Sequence, residues 1–472
     1  MRLKSASCRG RIIKTQQLRS HREFKIFNRL NYFSHNQIIK NSSQKYLKLS
    51  ISNSNHRSSD DSITIGICFS WILRQVTVYL PTSEHPQTDN RIWNQQHIDN
   101  FFIEIELQLQ KTSEFSGFAE LVNRRKQDIT QAYPELAHGN LAALFEHPRA
   151  IEHTLKSPIP AMIPKFWHDV EIIAIEKFGN LLACWAAYER FLILQRNQPL
   201  SFASCPPPPA DEYSYQSEIV DRIEIDHRLF LTLHSHIALT LSDAISLINL
   251  DIFIIEQKWY EMLFCLHLSQ RGSHFILYHT KNTPYPLLVS TALIQHWQER
   301  ENWLTFDPFF QGDGWYSCLS NETKMHLYKT GLFYNSIMQH VELEFESSFS
   351  ECIKNTDAVC EVLRLTVSGS KNLRFFLLYL CQKLLMKQLV KYGKKLSFTI
   401  IEQPIMLNLY KALDRVCYLN RSYCDINQEN VLTYKGFWLN EELGNALSEY
   451  NYSEYKFLIT GRRKKIEGTK VV

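Results

Sequence analysis

The clearest pattern of apolar and polar positions lies in the last quarter of the chain. Val359 to Val367 is rich in β-branched and aliphatic residues and predicts a strand. After it, apolar residues recur at helical spacing and predict a long helix that ends near Gly393. The apolar positions of that helix are Leu373, Phe376, Leu377, Leu380, Leu384 and Leu385. A second strand is predicted at Lys395 to Ile401, and Pro404 can open a further helix through Leu413.

A helical pattern also covers the chain from Asp99 to Gln198, where prolines divide it into several helices. The run Cys205 to Glu212 contains consecutive prolines and predicts an extended, exposed segment between two parts of the chain. Beyond it, strands are predicted at Glu261 to Leu268 and at Ser273 to His279. The chain therefore combines a helical first part with a mixed second part.

Charge is distributed unevenly along the chain. The net charge is +4, and the first 50 residues carry +11, which leaves −7 for the rest. This distribution argues against a basic, nucleic-acid-binding body, because any such surface is confined to the N-terminal segment. That segment is rich in Arg, Ser and Asn and shows no regular amphipathic period. A targeting extension and a nucleic-acid tail remain open for it, but a poorly ordered extension is favoured.

The cysteines and apolar runs bear on location. The 11 cysteines form neither a Cys-x-x-Cys pair nor a zinc-finger spacing, which favours a reducing compartment. The longest early apolar run, Ile63 to Leu73, is too short to cross a bilayer, and no signal-peptide pattern is present. These features predict a cytoplasmic protein without a membrane span.

The strand at Val359 leads into an elbow that is suited to an anion. Ser368-Gly369-Ser370-Lys371-Asn372 stands where the long helix begins, so unpaired N–H groups and the positive end of the helix dipole face a ligand. Lys371 and Arg374 add positive charge there. A diphosphate or phosphopantetheine group fits this site, although many α/β proteins contain such elbows without a ligand.

Glu361 and Arg364 are unusual in an apolar strand. Residues three apart in a regular strand point to opposite faces, so these two share a face only if a bulge lies between them. Bulges are common beside active sites. The alternative is that Glu361 lies exposed at the start of the strand and that Arg364 extends to solvent or pairs elsewhere.

The order of strand, elbow, helix, strand and helix resembles the cofactor-binding half of the GNAT acyltransferase fold, although the usual Gln/Arg-x-x-Gly-x-Gly/Ala cradle is missing. The Glu-x-x-Arg pair is similar to that of acyl-homoserine-lactone synthases, a GNAT-like group. Three further runs resemble the LuxM/AinS type of autoinducer synthase: Phe398 to Pro404, Tyr423 to Asn427 and Thr433 to Trp438. The resemblance covers about Ile219 to Asn440.

The resemblance implies an α+β fold with a GNAT-like mixed sheet and flanking helices, preceded by a mainly helical region and a basic disordered arm. Composition and pattern predict an arm at 1–95, a helical region at 96–204, a Pro-rich linker at 205–217 and a charged C-terminal tail at 446–472, and the resemblance implies a GNAT-like acyltransferase domain at 218–445.

The resemblance also implies a reaction, in which the α-amine of S-adenosylmethionine attacks a fatty acyl thioester and lactone closure releases methylthioadenosine. Glu361 would accept the proton of the amine, with a pKa raised by partial burial, and Arg364 would bind the substrate carboxylate. The thioester's phosphate would be held by Gly369, Ser370, Lys371, Asn372 and Arg374. Possible supporting residues are Glu402, Tyr410, Asp425 and Trp438.

Acyl-carrier protein or acyl-CoA would deliver the acyl group, and no permanently bound cofactor is expected. No metal site is predicted either, because the nearby His227, His234 and His236 are more typical of structural histidines. Two alternatives stay open: another GNAT-like coenzyme A-dependent N-acyltransferase, and a non-catalytic interaction protein whose basic arm acts as a tether.

Overall fold

The structure is a computed structural model of the 472-residue chain. It describes residues 93–111, 115–138, 140–159, 165–197, 207–306, 316–317, 355–401, 405–413, 417–424 and 433–460. The predicted basic arm at 1–95 lies almost entirely outside these residues.

The first part of the described chain is helical, as the pattern from Asp99 to Gln198 predicts. Asparagine side chains begin two of its helices, because Asn140 accepts from Ala143 N at 2.7 Å and Asn180 accepts from Ala183 N at 2.8 Å. The helices are α1 (Gln95–Lys111), α2 (Phe118–Ala132), α3 (Leu141–Phe145), α4 (Pro148–Lys156), α5 (Lys165–Phe178) and α6 (Leu181–Gln195).

One mixed sheet organises the second part. Its strands are β1 (Tyr215–Val220), β2 (Leu229–Thr232), β3 (Ser235–Thr240), β4 (Ser273–His279), β5 (Leu287–His296), β6 (Tyr316–Ser317), β7 (Val359–Val367), β8 (Leu396–Ile401), β9 (Tyr418–Cys424) and β10 (Thr433–Leu439). Their order is β1-β4-β5-β7-β8-β10-β9-β6, and β2 pairs with both β3 and β5. The β7–β8 and β2–β5 pairs are parallel, and the other pairs are antiparallel. The sheet and its flanking helices confirm the predicted α+β class.

Further helical segments connect and cover the strands. They are α7 (Leu241–Asn249), a π-helix (Leu250–Glu256), a 3-10 helix (Tyr260–Gln270), 3-10 turns (Trp297–Asn302 and Leu304–Phe306), α8 (Lys371–Lys391), α9 (Ile405–Ala412), α10 (Asn440–Glu449) and α11 (Tyr452–Thr460). Relative to the predicted boundaries, β1 begins at Tyr215, before residue 218, and α11 lies within the stretch assigned to the tail. No helix in the described part of the chain is long and apolar enough to cross a membrane.

The sheet separates two apolar cores. On one face, Ile276 and Leu288 pack in a continuous core with α1 to α7, the π-helix and the 3-10 helix. On the other face, Phe275 and Ala292 pack with α8 to α11. Adjacent residues of β4 therefore enter opposite cores, as strand geometry requires. The N-terminal helices cover the first face of the sheet.

The predicted strand at Glu261 to Leu268 is wrong, because these residues belong to the 3-10 helix Tyr260–Gln270. Its buried residues are Tyr260, Leu263, Leu266 and Ser269, which recur at every third position. That spacing matches the period of a 3-10 helix and places one side of the segment against α7. A short apolar run of this kind has no clean alternation to distinguish it from a strand.

Candidate active site

A β-bulge interrupts β7 at Arg364. In the β5–β7 pair, Thr291 lies opposite Thr366, and the next paired residues are Leu293 and Leu363. Arg364 and Leu365 together therefore oppose the single residue Ala292. Arg364 has φ of 54°, a left-handed conformation that is uncommon for a residue with a side chain. Glu361 and Arg364 can share a face only if the strand bulges, and this bulge is present.

The bulge brings Arg364 to the same face as Glu361. Glu361 and Leu363 share a face because they are two residues apart. Leu293 pairs with Leu363, and His274 pairs with Leu293, so both lie on this face as well. Burial, and to a smaller extent the nearby charge of Arg364, lowers the pKa of His274 to about 4. The guanidinium contacts Ser269 and Cys265 of the 3-10 helix, which packs on the face of the sheet that carries His274. A regular strand would place the two side chains on opposite faces, and the bulge turns Arg364 to the face of Glu361.

Glu361 is fully buried, so the alternative in which it lies exposed at the start of the strand is wrong. Its carboxylate accepts from Leu304 N at 2.9 Å, from Thr305 N at 2.7 Å and from Thr305 Oγ1 at 2.5 Å. Burial raises the pKa of Glu361 to about 7, although these three hydrogen bonds oppose the shift. A carboxyl group with this pKa changes its charge near neutrality, as the sequence analysis predicts for a base.

Arg364 is held by neutral acceptors. Its Nη1 donates to Ser269 Oγ at 2.9 Å, and its Nη2 donates to the Cys265 carbonyl at 3.2 Å. Burial lowers the pKa of this guanidinium. Among the residues that the structure describes, no carboxylate forms a salt bridge with Arg364. Arg364 is half-buried. A cation with little access to water and no carboxylate among its described neighbours is stabilised by an anion, so the site favours an anion from a ligand.

The conformation of Arg364 predicts a difference between two truncated variants. Arg364→Gly and Arg364→Ala both remove the charged side chain, but only glycine adopts positive φ freely. We expect Arg364→Gly to be more stable than Arg364→Ala by about 1 kcal/mol. Thermal unfolding at equal pH measures the difference. Equal unfolding temperatures would show that the left-handed backbone is not strained in the folded protein.

The elbow after β7 places the start of α8 against the sheet. Ser368 N donates to the Val289 carbonyl at 2.8 Å, and Gly369 follows with φ of 112°. This conformation favours glycine, and a Cβ here would lie 2.8 Å from Leu373 Cδ2, so that the leucine side chain would have to shift. Ser370 is the N-cap of α8. Lys371 and Asn372 lie in the first turn, and their side chains are outside the described residues.

Arg374 is tied to the elbow and to the π-helix. Its Nε donates to the Gly369 carbonyl at 2.7 Å, and its two Nη atoms lie 2.5 and 2.7 Å from the carboxylate oxygens of Glu256. This bidentate pair fixes the elbow to a segment more than 100 residues earlier in the chain. The binding of a phosphate by Arg374 and its neighbours stays a prediction, because in this structure Glu256 already neutralises Arg374.

A histidine that the sequence analysis judged structural also contacts the elbow. His234 Nδ1 lies 3.2 Å from Asp251 Oδ2, and His234 Nε2 lies 3.1 Å from Ser368 Oγ. Arg190 binds both Asp251 and the His234 carbonyl. No sequence motif links these residues, since they come from α6, the β2–β3 turn and the π-helix. Within the described ranges, no group of three or more potential metal ligands is gathered.

The predicted supporting residues divide into two sets. Tyr410 and Trp438 are buried, and Tyr410 stacks on Tyr418 with ring centroids 5.1 Å apart. Burial raises the pKa of Tyr410 far above its usual value, so its hydroxyl stays protonated. Glu402 and Asp425 lie outside the described residues. The supporting role of all four residues stays a prediction.

The pairing of β7 with β8 covers only Val359 to Val362 of β7, so the two strands separate at the bulge. A bulged strand that separates from a parallel neighbour and enters a long helix through a glycine elbow is the arrangement of a GNAT-like acyltransferase. The model of one protein family, described as acyl homoserine lactone synthase, matches residues 94–467. The chain belongs to this family, and it is therefore an acyltransferase of autoinducer synthesis in quorum sensing.

Curated relatives support the same assignment. The chain is 36% identical over 354 residues to the acyl-homoserine-lactone synthase LuxM of Vibrio campbellii (strain ATCC BAA-1116), covering 74% of this chain and 88% of the relative. It is 41% identical over 334 residues to LuxM of Vibrio atlanticus (strain LGP32), with 70% and 78% covered. For OpaM of Vibrio parahaemolyticus serotype O3:K6 (strain RIMD 2210633) the identity is 35% over 352 residues, with 72% and 86% covered. No solved structure matches the chain. These findings confirm the LuxM/AinS-type resemblance and argue against a non-catalytic interaction protein.

Proposed function

We propose that this synthase joins the α-amine of S-adenosylmethionine to a fatty acyl thioester and then releases methylthioadenosine. In the first step a C–N bond forms as the thioester C–S bond breaks. In the second, a carboxylate oxygen of the acylated intermediate displaces the sulfonium sulfur and closes the lactone. The observation that carries the proposal is the bulge in β7. It turns to one face a carboxyl group of pKa about 7 and an arginine that has no carboxylate partner among the described residues.

Glu361 is the proposed base. An ammonium group has no free electron pair, so the amine must lose a proton before it attacks the thioester. A carboxylate offers about four acceptor positions, and the described contacts of Glu361 use three of them. One position on Oε2 is left for the proton, which arrives directly or through one water molecule. The raised pKa makes the carboxylate a stronger base than an exposed glutamate.

Arg364 is the proposed site for the carboxylate of S-adenosylmethionine. A planar guanidinium forms two parallel hydrogen bonds with a carboxylate, which fixes orientation as well as position. The contacts to Ser269 and Cys265 hold the guanidinium in place without neutralising its charge. Because the bulge places Arg364 on the face of Glu361, one amino-acid head group can engage both side chains.

The acyl donor is proposed to lie between the separated strands. From Leu363 onward β7 no longer pairs with β8, so its backbone groups on that side are open to the pantetheine arm of the thioester. Backbone N–H groups there are suited to stabilise the tetrahedral oxyanion. The elbow at Gly369 and Ser370 would hold the phosphate of the arm, which acyl-carrier protein and acyl-CoA share.

Purified protein supplied with labelled S-adenosylmethionine and an octanoyl thioester tests the proposal. We expect methylthioadenosine and an acyl-lactone in equal amounts, measured by mass spectrometry, with octanoyl-CoA and octanoyl-carrier protein assayed in parallel. Omission of the thioester is the control, because acylation must precede lactone closure. An acylated amine without methylthioadenosine would instead support another coenzyme A-dependent N-acyltransferase.

A further inference from the structure

A buried asparagine stands at the end of α7, beside Arg364. Asn249 is 3% exposed, and it precedes the π-helix Leu250–Glu256 directly. Its neighbours Ile248 and Leu250 are fully buried in the apolar core. The amide oxygen of Asn249 is buried, and no partner for it is found among the described residues. A buried polar atom without a partner is destabilising, and π-helical segments are frequent at functional sites.

Ser269 links this asparagine to the arginine of the proposed site. Asn249 Nδ2 donates to Ser269 Oγ at 2.9 Å, and Arg364 Nη1 donates to the same oxygen at 2.9 Å. Ser269 Oγ therefore accepts twice, and its own proton is left to point away from both donors. Across the described chain, no acceptor receives that proton. The cluster thus offers donors from Arg364 and Ser269 and an acceptor from Asn249.

His274 forms a neutral wall on the same face. It is 1% exposed, and its Nε2 atom has no partner in the described part of the chain. Because burial lowers the pKa of His274 to about 4, the ring is uncharged at neutral pH. Arg364 is therefore the cation that an incoming carboxylate meets in this cluster, and the neutral ring does not compete with it.

We propose that Asn249 and Ser269 bind the amino-acid head group of the amine donor, together with Arg364. The carboxylate receives hydrogen bonds from Arg364 and from the Ser269 hydroxyl, and the α-amine donates to Asn249 Oδ1. A simple carboxylate would leave Asn249 Oδ1 unpaired, and a simple amine would leave Arg364 unpaired. An α-amino acid satisfies both groups. The inference deepens the proposed function and rests on it, since that function supplies such a head group at Arg364.

Binding of two ligands to the full-length protein tests the inference. S-adenosylmethionine carries the head group, and methylthioadenosine lacks it. We expect Asn249→Leu, which keeps the volume of the side chain, to weaken S-adenosylmethionine about tenfold in calorimetric titrations. Methylthioadenosine should bind the variant within about twofold of wild type, which also shows that the variant is folded. Ser269→Ala should weaken S-adenosylmethionine in the same selective way.

Ser246→Ala is the matched control, because Ser246 is also fully buried on α7 and its hydroxyl donates to the Ser242 carbonyl of its own helix. The affinity of Ser246→Ala for S-adenosylmethionine and for methylthioadenosine should match that of the wild-type protein. Equal affinity of wild type and Asn249→Leu for S-adenosylmethionine would overturn the inference and leave the proposed function standing. Failure of the wild-type protein to bind S-adenosylmethionine would overturn both.

Discussion

Glu361→Gln is expected to lose at least about 100-fold in the rate of methylthioadenosine release, because a general base contributes roughly that much or more. Glutamine has nearly the same shape as glutamate but takes no proton at neutral pH. In addition, its amide nitrogen would meet an N–H donor from Leu304 or Thr305, since both carboxylate oxygens of Glu361 accept from that segment. The measurement is a single-turnover assay with both substrates saturating, so that a change in affinity does not enter the rate.

Glu301→Gln is the control for this substitution. Glu301 is exposed in the 3-10 turn just before Leu304, and its loss should leave the rate within about twofold of wild type. Thermal unfolding of both variants separates a lost base from a lost fold. If folded Glu361→Gln releases methylthioadenosine at the wild-type rate, Glu361 is not the base.

The rate of the wild-type enzyme should also depend on pH in a defined direction. A pKa of about 7 means that the carboxylate form of Glu361, which accepts the proton, increases as the pH rises through neutrality. About a tenth of the molecules hold the carboxylate at pH 6 and about nine tenths at pH 8. The rate should rise accordingly between these values, and the residual rate of Glu361→Gln should lack this rise. A wild-type rate that falls over the same range would contradict the assignment.

The local pattern of the sequence was sufficient to predict the central unit of the fold. The strand at Val359 to Val367, the helix that follows and the strand near Leu396 all appear at or within a residue or two of the predicted positions. Each is encoded by neighbouring residues: aliphatic composition for β7, apolar spacing for α8 and Gly393 with φ of 74° after it. Glu361 and Arg364 were found for the same reason, because charged residues are conspicuous in an apolar strand.

The contacts that define the site could not be predicted from the sequence, because they join distant segments. Glu361 is bonded by Leu304 and Thr305, which are 57 and 56 residues away, and Arg364 is bonded by Ser269 and Cys265, which are 95 and 99 residues away. The order β4-β5-β7 in the sheet brings these segments together. The alternation of a strand likewise gives no position for a bulge, so the shared face of Glu361 and Arg364 remained a question until the register was known.

Arg364→Ala is expected to raise the KM for S-adenosylmethionine about 100-fold and to leave the KM for the acyl thioester nearly unchanged, because truncating one partner of a buried charge pair costs about 2–5 kcal/mol. The selectivity follows from the geometry. The guanidinium lies on the face of the sheet that carries His274, whereas the proposed pantetheine site runs along the open edge of β7 toward the elbow.

Arg364→Lys tests whether the shape of the guanidinium matters. Lysine keeps the charge but cannot form two parallel hydrogen bonds with a carboxylate. The KM of Arg364→Lys for S-adenosylmethionine should therefore lie between those of wild type and Arg364→Ala. Arg271→Ala is the control, because Arg271 is exposed directly after the 3-10 helix that holds Ser269. If both Arg364 variants keep the wild-type KM for S-adenosylmethionine, as the control does, the substrate carboxylate binds elsewhere. In that case the charge of Arg364 would serve the fold alone, and the bulge would have no part in substrate recognition.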